Sequence, residues 1–188
     1  MKSTLLAIAL STAALSAQAA DLDYNTVQAT YNKVDVGVGN LDGFGVNGSF
    51  KFNDSFYGIA GYQKLDGSGG DLDETNLGLG FRKAINDKAD WISEVSYVRD
   101  SADAGSFGSG SDNGYRVATG IRGMATDKLE LSGKINYTDV NNFGNGMGAG
   151  VAATYKLTEN FGLTAGYDFS KRDSEDLNGW NAGVRFNF

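Results

Sequence analysis

From about residue 24 onward, apolar and polar positions alternate along the chain. In the last stretch, Trp180, Ala182, Val184, Phe186 and Phe188 fall on one face, and Asn181, Gly183, Arg185 and Asn187 on the other. A period of two predicts a β-strand with one apolar and one polar side. Nine earlier segments read the same way: 24–34, 43–52, 56–64, 74–83, 91–99, 114–124, 129–139, 147–157 and 161–170. Their apolar faces carry sets such as Phe44/Val46/Phe50, Leu77/Leu79/Phe81 and Met147/Val151/Tyr155. Short turns at 53–55, 84–90, 125–128 and 158–160 take turns with longer Gly- and Asp-rich loops such as 66–73 and 100–113. That rhythm predicts up-and-down hairpins with short turns at one rim and long loops at the other.

The hairpin also recurs. Residues 50–83 align without a gap on residues 155–188, and ten of the 34 pairs are identical, among them Lys51/Lys156, Phe56/Phe161, Tyr62/Tyr167 and Phe81/Phe186. The offset of 105 residues equals three hairpins of 35, so one hairpin is the building unit. The fold class expected is all-β: a closed antiparallel transmembrane β-barrel of ten strands, with eight as the alternative. After the first residues no apolar run is long enough for a membrane helix. Aromatic residues sort into two bands. Tyr62, Tyr97, Tyr137 and Tyr167 lie toward the long-loop ends, with Phe44, Tyr115 and Trp180. Phe52, Phe56, Trp91, Phe161, Phe186 and Phe188 lie near the short turns. Rings at two depths separated by aliphatic and small residues are what two membrane interfaces select.

The first residues carry an export address. Lys2 precedes the apolar segment Leu5–Leu15, and Ala17-Gln18-Ala19 is a small-x-small cleavage pattern. Residues 1–19 are therefore expected to be a signal peptide and residues 20–188 the barrel.

Composition narrows the chemistry. The chain holds 27 Gly and no Pro, and its formal net charge is −7. An acidic chain without a basic stripe argues against nucleic acid. There is no His and no Cys, which removes nucleophilic triads, zinc sites and disulfides. No catalytic residue, metal ligand or cofactor site is expected. The loop 66–74 lacks the ligand spacing of an EF-hand, because Gly70 occupies a ligand position.

The polar faces hold one pattern with chemical content. Lys51, Arg82, Arg122, Lys156 and Arg185 share the inward parity, each near the short-turn end of a different descending strand. Glu94, Glu130 and, higher up, Asp168 answer from ascending strands, with Arg116 and Lys134 between. Like charges at one level require neutralising partners. Glu130 is expected between Arg122 and Lys156, paired with a member of this basic ring, and Glu94 paired with Arg82 or Arg122. The set either braces a filled lumen or forms a basic inner constriction favouring anions.

Trp180, Val184, Phe186 and Phe188 form a terminal alternation that resembles the assembly signal of outer-membrane barrels. Over residues 20–188 the chain resembles the small single-chain outer-membrane β-barrels of the OmpX and OmpA-barrel kind. In its first hairpin, Leu22-x-Tyr24-Asn25-x-Val27 with Tyr31, followed by Asp42-Gly43-Phe44-Gly45-Val46-Asn47-Gly48-Ser49, is similar to small envelope barrels of xanthomonads. The resemblance implies a location in the cell outer membrane of a Gram-negative envelope. It implies contact with outer-membrane lipid and lipopolysaccharide, handling by the barrel assembly machinery, and an extracellular partner for the loops. It supplies no catalytic residue. The expected role is structural or surface interaction through acidic, Gly-rich extracellular loops; the alternative is a narrow porin-like channel for small solutes.

Overall fold

A computed structural model of the chain describes residues 22–36, 39–103, 108–172 and 175–188. The expected signal peptide, 1–19, lies outside the described residues. The ten strands among them are β1 (Thr26–Asp35), β2 (Asn40–Lys51), β3 (Phe56–Gly67), β4 (Gly70–Asn86), β5 (Ala89–Asp103), β6 (Ser109–Met124), β7 (Leu129–Val140), β8 (Gly144–Lys156), β9 (Phe161–Arg172) and β10 (Glu175–Asn187). Each pairs antiparallel with its chain neighbours, and β1 pairs with β10 from Thr26↔Asn187 to Asp35↔Asn178, closing the barrel. The expected closed barrel of ten strands is what forms, and β3/β4 and β9/β10, the halves of the internal repeat, stand three hairpins apart.

The short turns share one local chemistry. Asn53 Oδ1 accepts from Ser55 N and Phe56 N at 2.9 Å. Thr126 Oγ1 accepts from Lys128 N at 3.3 Å and Leu129 N at 3.0 Å, and Thr158 Oγ1 accepts from Phe161 N at 3.0 Å. A short polar side chain satisfies the turn amides and so stops the descending strand at a fixed residue. Asn53 and Thr158 are equivalent positions of the repeat, which is why both turns form alike.

At the other rim the strands run further than the alternation predicts. β4, β5 and β6 have 17, 15 and 16 residues, and much of the expected loops 66–73 and 100–113 is paired ladder, as in Asp66↔Asp71 and Asp100↔Asp112. Above the apolar band both faces are solvated, so hydrophobic period two disappears there. The backbone keeps pairing because its neighbour continues beside it. One turn of 3-10 helix, Asn141–Phe143, joins β7 to β8. Gly144 follows it at φ 81°, a conformation that a side chain disfavours.

The inside-out distribution defines the solvent. Leu77, Leu79, Val95, Ile135 and Val151 project from the middle of the wall with 52–66% of their surface exposed. A water-soluble protein does not display so continuous an apolar belt; hydrocarbon accounts for it. Aromatic rings flank it at both levels. Tyr31 lies 5.7 Å from Trp180 and 5.5 Å from Phe44, and Tyr115 lies 6.2 Å from Tyr137. At the short-turn end Phe81 lies 5.4 Å from Phe56 and 6.2 Å from Trp91. Tyr62, Tyr97, Tyr137 and Tyr167 all point outward.

Val151→Arg places a charge in the middle of the apolar belt. It should cost about 2–4 kcal/mol of barrel stability, read as a lower urea midpoint in lipid vesicles. A Cys at 151 should react with lipid-phase labels and resist water-soluble ones.

Candidate functional site: a braced and stoppered lumen

The inward side chains form three groups from the short-turn rim upward. At the bottom, Glu130 on β7 is 3% exposed. It accepts from Arg122 Nε at 2.7 Å, Arg122 Nη2 at 3.0 Å and Arg185 Nη1 at 2.8 Å. Arg185 Nε donates in turn to Gln28 Oε1 at 3.3 Å. Beside it Arg82 Nε lies 3.2 Å from Asp90 Oδ2. These residues stand opposite one another because β6 and β7 pair Met124↔Glu130, and β4 and β5 pair Ala84↔Asp90. Two-pronged guanidinium–carboxylate contacts are short and directional.

Tyr24 ties the two pairs together. It precedes β1 and turns into the lumen, where it is 2% exposed. Its hydroxyl donates to Asp90 Oδ2 at 2.8 Å. The guanidiniums of Arg82 and Arg122 lie 4.7 and 4.6 Å from its ring centroid. Three arginines face two carboxylates at this level, and the π face of Tyr24 offsets part of the surplus charge. Leu22, Tyr57, Ile92 and Met124 pack with Tyr24 as a buried apolar cluster, and the two tyrosine rings are 4.8 Å apart. Gly80 makes room for this stopper, since a Cβ there would stand 2.2 Å from the Tyr57 ring.

Midway up, Glu94 accepts from Lys134 Nζ at 2.9 and 3.0 Å and from the Tyr57 hydroxyl at 2.8 Å. At the top, Arg116 grips Glu74 with both terminal nitrogens, at 2.8 and 2.6 Å, while its Nε donates to Thr138 Oγ1 at 3.0 Å. Arg172 Nη1 on β9 reaches Asp100 Oδ2 on β5 at 2.8 Å, nearly across the barrel. Leu65, Val98 and Val140 are buried in this upper part. Between the two ends lies a cavity of about 420 Å³, lined by Asn76, Glu94, Arg116, Lys134, Asp168 and Arg185 along with apolar Tyr57, Ile59 and Ile92.

Of the basic ring expected from the sequence, Arg82, Arg122 and Arg185 meet carboxylates inside. Lys51 instead turns to Asp54 in the adjacent turn, 3.2 Å away, with 40% of its side chain exposed. Lys156 lies half-buried at the short-turn end of β8. Glu130 pairs with Arg122, and its second partner is Arg185 rather than Lys156. Glu94 pairs with Lys134, not with Arg82 or Arg122. The reason is depth: Asp90 occupies Arg82 and Glu130 occupies Arg122, while Glu94 sits higher, opposite Lys134 two strands away. Asp168 accepts from Asn181 Nδ2 at 3.1 Å.

The alternation places Arg116 inward, but it does not pick out the stopper or the brace partners Glu74, Asp100 and Arg172, although parity marks them. Leu22 and Tyr24 carry the parity of inward Thr26 and Gln28, opposite to Val27, Ala29 and Tyr31. Asp90 and Asp100 share the parity of Glu94 but fall in the expected turn 84–90 and loop 100–113. Glu74 opens its own segment on the inward side.

No protein-family model matches the chain, and no curated protein matches it. Among solved structures it is similar to the KdgM porin in complex with disordered oligogalacturonate, with a TM-score of 0.53 and 13% identity over 87% of this chain and 99% of that one. It is also similar to the NanC porin, at a TM-score of 0.49 and 14% identity over 87% and 99% of the two chains. The attachment invasion locus protein Ail of Yersinia pestis matches at a TM-score of 0.40 and 15% identity over 87% and 95%. The first likeness shows the fold. With the even strand number, the unequal rims and the girdled apolar belt, the class is the small outer-membrane β-barrel.

Glu130→Gln leaves Arg122 and Arg185 buried against a neutral amide. Urea unfolding in vesicles should register a loss of about 3 kcal/mol, with the denaturant slope unchanged. Lys51→Gln, at the exposed rim, should change stability by less than about 1 kcal/mol.

Proposed function

We propose that this is a non-enzymatic barrel with a closed lumen, whose work is structural or interactive at the cell surface. The observation that carries the reading is the Tyr24 stopper, a chain segment folded into the short-turn mouth and held by Asp90, Arg82 and Arg122. Arg172–Asp100 and Arg116–Glu74 brace the opposite end. Ion pairs of this kind hold strand register and fill space that a pore would leave open. The absence of His and Cys supports the non-enzymatic part. The surface that remains for recognition is the long-loop rim. Its acidic, Gly-rich loops and the extended β4–β6 ladder stand above the upper aromatic girdle and would meet lipopolysaccharide and an extracellular partner. The first-hairpin likeness to small envelope barrels of xanthomonads, discussed in connection with host recognition, agrees with such a role. Assembly by the barrel machinery through Trp180, Val184, Phe186 and Phe188 belongs to the same reading.

A second reading has its own observation. The 420 Å³ cavity is lined by Arg116, Lys134 and Arg185 among others, and the neighbour of highest fold similarity reported above is a porin. If the stopper yields, the lower arginines would form a basic constriction selecting small anions.

Planar-bilayer recording separates the two. Wild type should insert without steady single-channel current, and Tyr24→Ala should produce open events with anion-favouring reversal potentials in a salt gradient. Steady wild-type conductance would overturn the closed-lumen reading in favour of the channel.

A further inference from the structure

We infer that the outer wall between β1 and β4 seats one phospholipid of the periplasmic leaflet, its acyl chain in a trough and its phosphate at Lys83. The trough measures about 560 Å³ and its lining is almost wholly apolar. Small residues on β3, Gly58 and Ala60, form its floor. Leu77 and Leu79 on β4 stand beside them as a wall, paired Ala60↔Leu77 and Gly58↔Leu79. Phe52 and Phe188 close its lower end; the Phe52 ring lies against Gly58, where a Cβ would be 2.9 Å from Cζ.

Its place on the wall names the occupant. The trough lies within the apolar belt, where there is no water to fill it, so hydrocarbon or another protein must. On β4 the trough lining stops at Leu79; the reach from its Leu77 wall past Phe81 to Lys83 suits one leaflet. Leu77 to Lys83 spans roughly 20 Å along β4 at about 3.4 Å per residue. At a tilt of about 45° that descends about 14 Å, close to half of a hydrocarbon core roughly 30 Å thick. Below the Phe56–Phe81 ring pair the outward row on β4 reaches Lys83, exposed and opposite Trp91 in register, with Ile85 beyond it at the register irregularity between Ala84 and Asn86. A lysine beside an indole at the membrane boundary is placed to meet a phosphate. A second copy fits worse: a two-fold contact sets the same patch against itself, and trough against trough would enclose a void.

The test uses the full barrel refolded in phosphatidylcholine nanodiscs doped with phosphatidylglycerol, then moved to detergent and weighed by native mass spectrometry. Wild type should retain one phosphatidylglycerol. Ala60→Phe, which fills the floor, should abolish retention, and Lys83→Gln should weaken it several-fold. Val151→Phe, on the opposite wall, should leave it unchanged. Retention by Ala60→Phe equal to wild type would overturn the proposal, as would an unaltered bound fraction in Lys83→Gln, the variant that decides if Ala60→Phe does not fold. Efficient cross-linking between copies through a Cys at 60, without retained lipid, would assign the trough to a dimer instead.

Discussion

In a bilayer no backbone N–H or C=O can be left to the solvent, and the structure depends on how one strand pair meets that demand. β1 must find β10, which lies at the far end of the chain. Ten consecutive partners, Thr26↔Asn187 through Asp35↔Asn178, complete the ladder. The pairing also sets facing. A slip of one residue would turn one strand over: if β10 moved, Val184 and Phe186 would face inward and Arg185 toward lipid. The apolar belt and the charged lumen are thus two consequences of one register.

Closure creates a second demand, because ten strands enclose more space than two facing walls of short side chains can fill. The filling is uneven along the wall. Most of the bulky inward residues come from β3 to β7, among them Tyr57, Leu65, Arg82, Ile92, Glu94, Arg116, Arg122 and Lys134, with Gln28, Arg172 and Arg185 from β1, β9 and β10. Inward glycines on both walls leave room between them, such as Gly78, Gly80 and Gly120 on one side and Gly146, Gly148, Gly150 and Gly183 on the other. Long side chains therefore reach over the centre of the lumen. Some meet partners on the adjacent strand, as Arg82 meets Asp90 and Arg122 meets Glu130, and others partners two to four strands away, as Arg116 meets Glu74, Arg185 meets Glu130 and Arg172 meets Asp100. Such pairs resist any change in barrel cross-section, and losing one member leaves a charge with no water-rich escape. Tyr24 belongs to the same logic. The chain spends the residues ahead of its first strand to fill the short-turn mouth, where three guanidiniums would otherwise crowd.

The fold was legible in the sequence because a membrane barrel writes its parity on both faces. Outward residues such as Leu79 and Val151 must be apolar, and inward ones such as Arg82 and Glu130 are free to be charged. Strand ends were less legible where that contrast fades, as in 66–73 and 100–113. The site was legible only in part. Parity put Arg82, Arg122, Arg185 and Glu130 on the inner face. It carries no depth, and neighbouring strands are staggered, so Glu94 met Lys134 instead of an arginine and Lys51 fell at the rim. Apolar residues at inward parity, Tyr24, Tyr57 and Ile92, read as lapses in a polar face. They are the part of the lumen that excludes water.

On the proposed closed-lumen reading little passes through the centre, and what the barrel offers to a partner lies at its edges. The long-loop rim is built to hold shape. Asp112 on β6 accepts from Asn113 N at 2.8 Å and from Asn141 Nδ2 at 3.2 Å, and from the backbone and side chain of Asn142. These donors hold its carboxyl below the usual range, so it stays ionised and keeps the Asn141–Phe143 turn against the extended ladder. Tyr31 and Tyr62 donate outward to Asp42 and Asp73 at 2.8 Å, which fixes the base of that rim to the upper girdle. On the proposed surface role this stiffness has a use. A partner that meets a preorganised rim loses less conformational entropy on binding than one that must order loose loops. The braces that close the lumen serve the same end, because a wall that cannot flex keeps the spacing of the strands that carry those loops.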